Sequence, residues 1–343
     1  MLTTILSGGL IGLIFGFILQ RTRFCLTGGF RDMYIARNNT LFYAFLIAIT
    51  VESIGVLSLI KLGIIGNPYE EFSVLGAIVG SYLFGFGIVL AGGCATGTWY
   101  RAGEGLLGSG VALFFYMTSA AAMKSGFLVP LNQLIAKRWV INDDLAGQLG
   151  IPVWYFLVFL VAITSFIVIR ELRKPRRQIA TLPSKYKGVR HYLFEKTYHK
   201  YFAGLLIGLV AFIAWPASQL TGRVGGLGIT TPSAHLISYI ITGDSKQLGW
   251  GVFLVLGIFL GSFLAAKGSR EFRWRLPDLS TIGKSTLGGI FMGIGASWAG
   301  GCTIGNGLTA TAIFSSKGWI ALPVTILGVW TASYIIFVKP NKN

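Results

Sequence analysis

The sequence predicts an all-α polytopic membrane protein with about nine transmembrane helices arranged as two inverted pseudo-repeats. Three observations predict it. Of 343 residues, 53% are hydrophobic and 12% are charged, about half the charged fraction that covers a soluble domain. Apolar stretches close to the ~20 residues that cross a bilayer recur along the whole chain. The motif Ala-Gly-Gly-Cys-x-x-Gly occurs twice, at 91–97 and 299–305. This composition excludes most water-soluble enzymes.

The apolar stretches run 3–19, 40–60, 73–91, 106–128, 151–169, 201–217, 248–266, 286–299 and 319–338. The first has no basic region before it and no small-residue cleavage site after it, so it reads as a retained span and not a signal peptide. The loop at 20–38 carries Arg21, Arg23, Arg31 and Arg37, and the loop at 267–284 carries Lys267, Arg270, Arg273, Arg275 and Lys284. Acids mark the intervening loops: Glu70 and Glu71, Asp143 and Asp144, Asp244. Basic loops stay in the cytoplasm, and nine crossings then place the N-terminus outside and the tail with Lys339 and Lys342 inside.

The net charge of +17 would suit a nucleic-acid partner, but its distribution does not. The segment 170–200 alone holds ten of the 29 Lys and Arg against two acids. One loop with half the imbalance reads as a cytoplasmic face that meets anionic lipid headgroups, and no nucleic-acid binding is expected. This loop divides the chain into an N-terminal transmembrane repeat (1–169), a basic cytoplasmic linker (170–200) and a C-terminal transmembrane repeat (201–343).

The offset of 208 that superposes Cys94 on Cys302 also lays Gly80 on Gly288, Gly85 on Gly293 and Gly87 on Gly295. By the loop charges, 73–91 runs inward and 286–299 outward, so the halves are inverted. Transporters built this way hold their sites near the midplane, where the halves meet.

Each motif interrupts a helix with glycine: Gly92, Gly93 and Gly97 in one half, Gly300, Gly301 and Gly305 in the other. Glycine at this density breaks the helical ladder, and unpaired backbone at membrane depth survives only inside protein or against a polar cavity. A half-helix after such a break offers free N–H groups and a positive dipole end to an anion. Thr96, Thr98, Thr303 and Asn306 add neutral donors. The same glycines also serve close helix packing; two symmetric breaks that each bear a cysteine favour the anion site. Cys25 lies in a third glycine-rich stretch, Arg-Phe-Cys-Leu-Thr-Gly-Gly. A low dielectric keeps a thiol protonated, whereas a helix N-terminus or a nearby Arg favours the thiolate, and the sequence leaves both open.

Arg23, Arg101 and Glu104 read either as a gate or funnel or as an interfacial Arg–Glu pair. Glu52 falls within an apolar span, where acids are functional candidates; it is a proton carrier or a hydrogen-bond partner of a neighbouring helix. His191, His199 and His235 lack ligand spacing, so neither metal nor cofactor is expected.

The stretches RTRFCLTGGFRD at 21–32, AGGCATGTWYRAGEG at 91–105 and AGGCTIGNG at 299–307 resemble the YeeE/YedE family of bacterial inner-membrane proteins, in particular its thiosulfate transporter branch. The resemblance covers essentially the whole chain. It implies a transporter and not an enzyme, an hourglass-shaped fold with short re-entrant helices beside the nine spans, and uptake of thiosulfate through a narrow passage. It also implies that Cys25, Cys94 and Cys302 contact the ion in turn, and that a cytoplasmic TusA-like sulfurtransferase is a partner. Thiosulfate is a dianion with a soft terminal sulfur, which suits weak S–H donors in successive sites that release as well as bind. Two other expectations stay open beside it: transport of another sulfur or selenium species, and a membrane sulfurtransferase that carries a cysteine persulfide.

Overall fold

A computed structural model describes residues 1–173, 188–196 and 198–339. Residues 174–187, 197 and 340–343, on which much of the basic linker and most of the tail fall, lie outside the described residues. The described chain forms α1 (Leu2–Thr22), α2 (Leu26–Ile35), α3 (Thr40–Lys61), α4 (Val74–Leu90), α5 (Ala95–Gly103), α6 (Leu107–Ser125), α7 (Val129–Ala136), α8 (Leu145–Leu149), α9 (Val153–Leu172), α10 (Val189–Phe194), α11 (Lys200–Gln219), α12 (Thr230–Thr242), α13 (Trp250–Gly268), α14 (Leu279–Trp298) and α15 (Ser316–Ser333). Two short strands, β1 (Glu71–Ser73) and β2 (Val140–Asn142), pair antiparallel between helices.

Among the described residues, seven helical stretches are long and apolar enough to cross a membrane: Leu2–Ile35, Thr40–Lys61, Val74–Gly103, Val153–Leu172, Lys200–Gln219, Trp250–Gly268 and Ser316–Val338. The pair α6 and α7 passes the same test together but is bent by 72°, the geometry of a broken span or a re-entrant loop. The protein is therefore a multi-pass membrane protein. The remaining expected span, 286–299, falls on α14, which starts at Leu279. Ser280, Thr281, Lys284, Ser285, Thr286 and five glycines dilute its apolar character, and it packs between α4 and α6, where Gly288, Gly289, Gly293 and Gly295 meet protein.

Backbone contact between helices fixes the arrangement. In a bilayer, lipid is as apolar as leucine, so helices associate through close packing of small residues. Along the α1–α13 contact, Gly8 faces Trp250, Gly12 faces Leu254 and Gly16 faces Ile258, so the two helices run parallel. Along α3–α11, Ala44 faces Gly204 and Ala48 faces Gly208, again parallel. Likewise Ala112 and Tyr116 of α6 meet Gly289 and Gly293 of α14, and α15 packs on α4. The central pair α4–α14 is antiparallel: Gly76 faces Trp298, Gly80 faces Gly295 and Gly87 faces Gly288. A Cβ at Gly80 would lie 2.6 Å from the Gly295 carbonyl oxygen, closer than any side chain can sit. Peripheral α9, by contrast, buries little of its surface.

Candidate functional site

Three helix breaks position the three cysteines. Helix α1 ends at Arg23, whose left-handed backbone (φ 51°) turns its N–H back onto the Gln20 carbonyl, and Cys25 then caps α2. Helix α4 ends at Leu90, Gly92 supplies the positive φ (69°) that a side chain rarely adopts, and Cys94 caps α5 with its Sγ accepting the Gly97 N–H at 3.4 Å. Helix α14 ends at Trp298, Gly300 turns with φ 71°, and Cys302 follows. Here the structure departs from the expected half-helix: the chain continues as a wide π-helical stretch, Gly305–Ala310. Asn306, expected to donate to an anion, instead gives its Nδ2 to the carbonyls of Ala299 (2.8 Å) and Gly301 (3.3 Å). It braces the broken end of α14.

All three thiols are free and buried. Cys94 lies within electrostatic range of both Cys25 and Cys302. Electrostatic coupling also links Arg101 to Cys25 and Cys94, and Tyr116 to Cys302 and Cys94. Beside each stands a threonine whose buried hydroxyl has no hydrogen-bond partner: Thr27, Thr96 and Thr303. Buried hydroxyls are almost always paired, and an orphan costs about 1–3 kcal/mol. Thr98 differs, because it donates to the Ala95 carbonyl at 2.7 Å. Thr27 was not among the candidate donors; the threonine that recurs just after every cysteine is the signal that finds it.

Arg101 donates to the Gly92 carbonyl and its Nε reaches the Tyr100 hydroxyl at 3.4 Å, so it lies across the first break. Glu104 does not pair with it. Arg23 takes that place, 2.7 Å from Glu104 and 2.9 Å from Glu271, while Gln20 donates to Glu271 at 2.9 Å and Arg21 stands 3.6 Å from it. Burial pushes Glu271 up, but the Gln20 hydrogen bond and the charges of Arg23 and Arg21 outweigh it and hold the carboxyl below its ordinary range. This cluster ties the turn between α1 and α2 to the end of α5 and to the segment after α13.

At the other end a cavity of about 410 Å³ opens onto the second break, lined by Trp215, Arg223, Cys302, Asn306, Thr309 and Lys317 among others. The Lys317 side chain lies over Gly300, as Arg101 lies over Gly92. It is 3.8 Å from Asp143, which accepts from the Ser315 hydroxyl (2.6 Å) and the Lys317 N–H (2.8 Å). Burial pushes the Asp143 carboxyl above the usual carboxylate range, against the opposing charge of Lys317. Arg223 donates to the carbonyls of Gly225 and Gly226. Neither Lys317 nor Arg223 stood out in the sequence, where each is a single basic residue between ordinary neighbours. Among the described residues, no three His, Cys, Asp or Glu gather into a group that could hold a metal ion.

Residues 21–331 match the family described as sulphur transport. The chain is 53% identical over 343 residues to the thiosulfate transporter TsuA of Escherichia coli strain K12, covering 100% of this chain and 97% of that protein. It is 33% identical over 345 residues to the thiosulfate transporter TsuA of Spirochaeta thermophila, covering 96% of this chain and 98% of that protein. A shorter similarity, 44% over 96 residues, links 28% of this chain to 23% of the probable transporter YedE of E. coli. The family match spans all three cysteine breaks, and the chain belongs to the sulphur transport (YeeE/YedE) family.

Proposed function

We propose that the protein takes up thiosulfate across the bacterial cytoplasmic membrane and passes the ion from Cys302 to Cys94 to Cys25. The observation that carries this reading is that the threonine one or two residues after each buried thiol, Thr27, Thr96 or Thr303, has an orphan hydroxyl. An ion with charged oxygens and a soft sulfur completes both kinds of donor at once. The relatives named as thiosulfate transporters over nearly their whole length supply the substrate.

In the passage each thiol stays neutral and donates S–H to the terminal sulfur, since a thiolate would repel a dianion. The threonine hydroxyl beside it meets an oxygen. Glycines 92, 93, 97, 300, 301 and 305 keep backbone close to the ion, and Asn306 holds the second break in shape. Lys317 and Arg223 draw the anion into the cavity at Cys302, Arg101 offsets its charge between Cys94 and Cys25, and the Arg23, Glu104 and Glu271 cluster gates the exit. Because every contact is weak, the ion also leaves.

The same reading takes α14 as the ninth span and the chain as two inverted repeats, 1–169 and 201–343, joined by the linker 170–200. Helix pairing supports it. Exchanging the halves turns α1–α13 into α11–α3 and α6–α14 into α15–α4, and Gly80·Gly295 becomes Gly288·Gly87; each of these contacts is present. The N-terminus is outside and the C-terminus in the cytoplasm, where the basic face meets anionic lipid and a TusA-like sulfurtransferase accepts the product.

The test is uptake of labelled thiosulfate by cells lacking their own transporters. The intact chain restores uptake, and membrane-inserted Cys25→Ala, Cys94→Ala and Cys302→Ala each lose it. Uptake that survives all three changes refutes the thiol passage; no uptake by the intact chain refutes the substrate.

A further inference from the structure

Glu52 is a buried acid for which the thiol passage has no use. It sits on α3 without solvent exposure. Its Oε1 accepts the Trp215 Nε1–H at 3.0 Å, and its Oε2 has no hydrogen-bond partner. Four elements pack on α3: α2, α9, α11 and the stretch Gly305–Ala310. Among the described residues none turns a charged or titratable group to the carboxyl. From α11 comes Trp215, and from the last comes Thr309, whose hydroxyl lies close enough to the carboxyl to hydrogen-bond it but donates its proton to the Leu227 carbonyl at 3.0 Å. An ionised carboxylate with one hydrogen bond and no cation is costly at membrane depth, whereas a neutral acid is tolerated there.

The surroundings point outward. Trp215 and Thr309, the two side chains at the carboxyl, also line the cavity that contains Cys302, Arg223 and Lys317. The fold does not need the acid for packing. Ala48 faces Gly208 as Leu254 faces Gly12, so the place equivalent to Glu52 on α13, one turn further along, is held by Ile258, which is fully buried.

We infer that Glu52 is a proton-binding site, filled through its free Oε2 from the cavity at Cys302, and that the dianion enters with one proton bound there. This deepens the thiosulfate reading and rests on it. A carboxylate beside the cavity repels the dianion, and a neutral acid does not, so proton and anion favour each other's binding by the same factor. The proton moves from cavity water to Oε2 and is released on the inner side once the anion has passed. One proton per dianion leaves a single net charge to cross against an inside-negative potential.

The experiment uses the full chain in liposomes that enclose a pH dye, with labelled thiosulfate outside. The expected result is uptake with acidification of the lumen, and an initial rate that rises toward a limit of about tenfold per unit of outside-acid gradient, as one coupled proton requires. Glu52→Gln keeps the Trp215 acceptor and mimics the neutral acid. It continues to exchange labelled for unlabelled thiosulfate, its rate changes less than about twofold with the gradient, and its lumen signal is lost; Glu52→Asp restores that signal. Uptake by the unaltered chain without acidification overturns the proton site and leaves the thiosulfate reading standing. So does a gradient response that persists in Glu52→Gln, or one that follows sodium instead. No uptake by the unaltered chain at any gradient overturns the substrate reading and this coupling with it.

Discussion

Thr96→Val separates a donor held for a ligand from a residue held for packing. The two side chains share their shape and β-branching, so α5 loses no helical preference; only the hydroxyl goes. In the empty protein that hydroxyl is buried without a partner, at a cost of about 1–3 kcal/mol. Valine removes the cost, so the purified variant is expected to melt higher than the parent protein, with a gain up to that size. In transport the sign reverses. A hydrogen bond to a charged group contributes about 1.5–3 kcal/mol, which is roughly 10- to 150-fold in kcat/KM. Thermal unfolding in detergent and initial rates of labelled uptake, measured on the same preparation, report the two effects. A variant that melts lower and transports normally refutes the reasoning, because the hydroxyl would then have a partner in the protein and none in the ion.

Gly80→Val forces a side chain against the Gly295 carbonyl and the Ala299 N–H. Overpacking of this kind costs about 1–3 kcal/mol or more, and the variant is expected to reach the membrane in much lower amount, read by immunoblot of membrane fractions. Arg23→Ala removes the 2.7 Å partner of nearly buried Glu104. The loss is expected near 1–3 kcal/mol, below the range for fully buried pairs because Arg23 is half exposed, and it is checked by the apparent melting temperature. Glu271 is held below its ordinary range, so its contribution to stability is present above the range of a free carboxyl and is lost as pH falls through its depressed folded value. The melting difference between the parent protein and Glu271→Gln is therefore expected to close in acid. Lys317→Met is expected to raise the KM for thiosulfate several-fold and to weaken its dependence on ionic strength, measured by uptake at two salt concentrations.

The class of the molecule and seven of its membrane-crossing helices were legible in the sequence, because a bilayer demands long apolar runs and these are local. So were the breaks, since paired glycines announce them. What local pattern cannot carry is partnership across the chain. Glu104 sits three residues from Arg101, yet its ion pair is with Arg23, because the turn at Arg23 swings α1 against the end of α5. Lys317 is near Gly300 only because the chain bends back at Phe314 (φ 56°) and Ser315. The first turns of α14 were missed for a physical reason: Ser280, Thr281 and Lys284 are polar and exposed there, so no apolar run announces them.

The parallel contact of α1 with α13 also sets the order of events while the protein is made. Gly8, Gly12 and Gly16 meet their partners only when Trp250, Leu254 and Ile258 have been synthesised, about 240 residues later. At translation rates of about 5–20 residues per second, the first helix waits roughly 10–50 s in the bilayer with its glycine face toward lipid or the insertion machinery. Its counterpart contact, α3 with α11, closes first, and α11 packs on α1 without taking the place of α13 against the three glycines. A nascent chain stopped before α13 therefore presents a flat, unfilled seam, and that seam is where quality control of this protein has something to recognise.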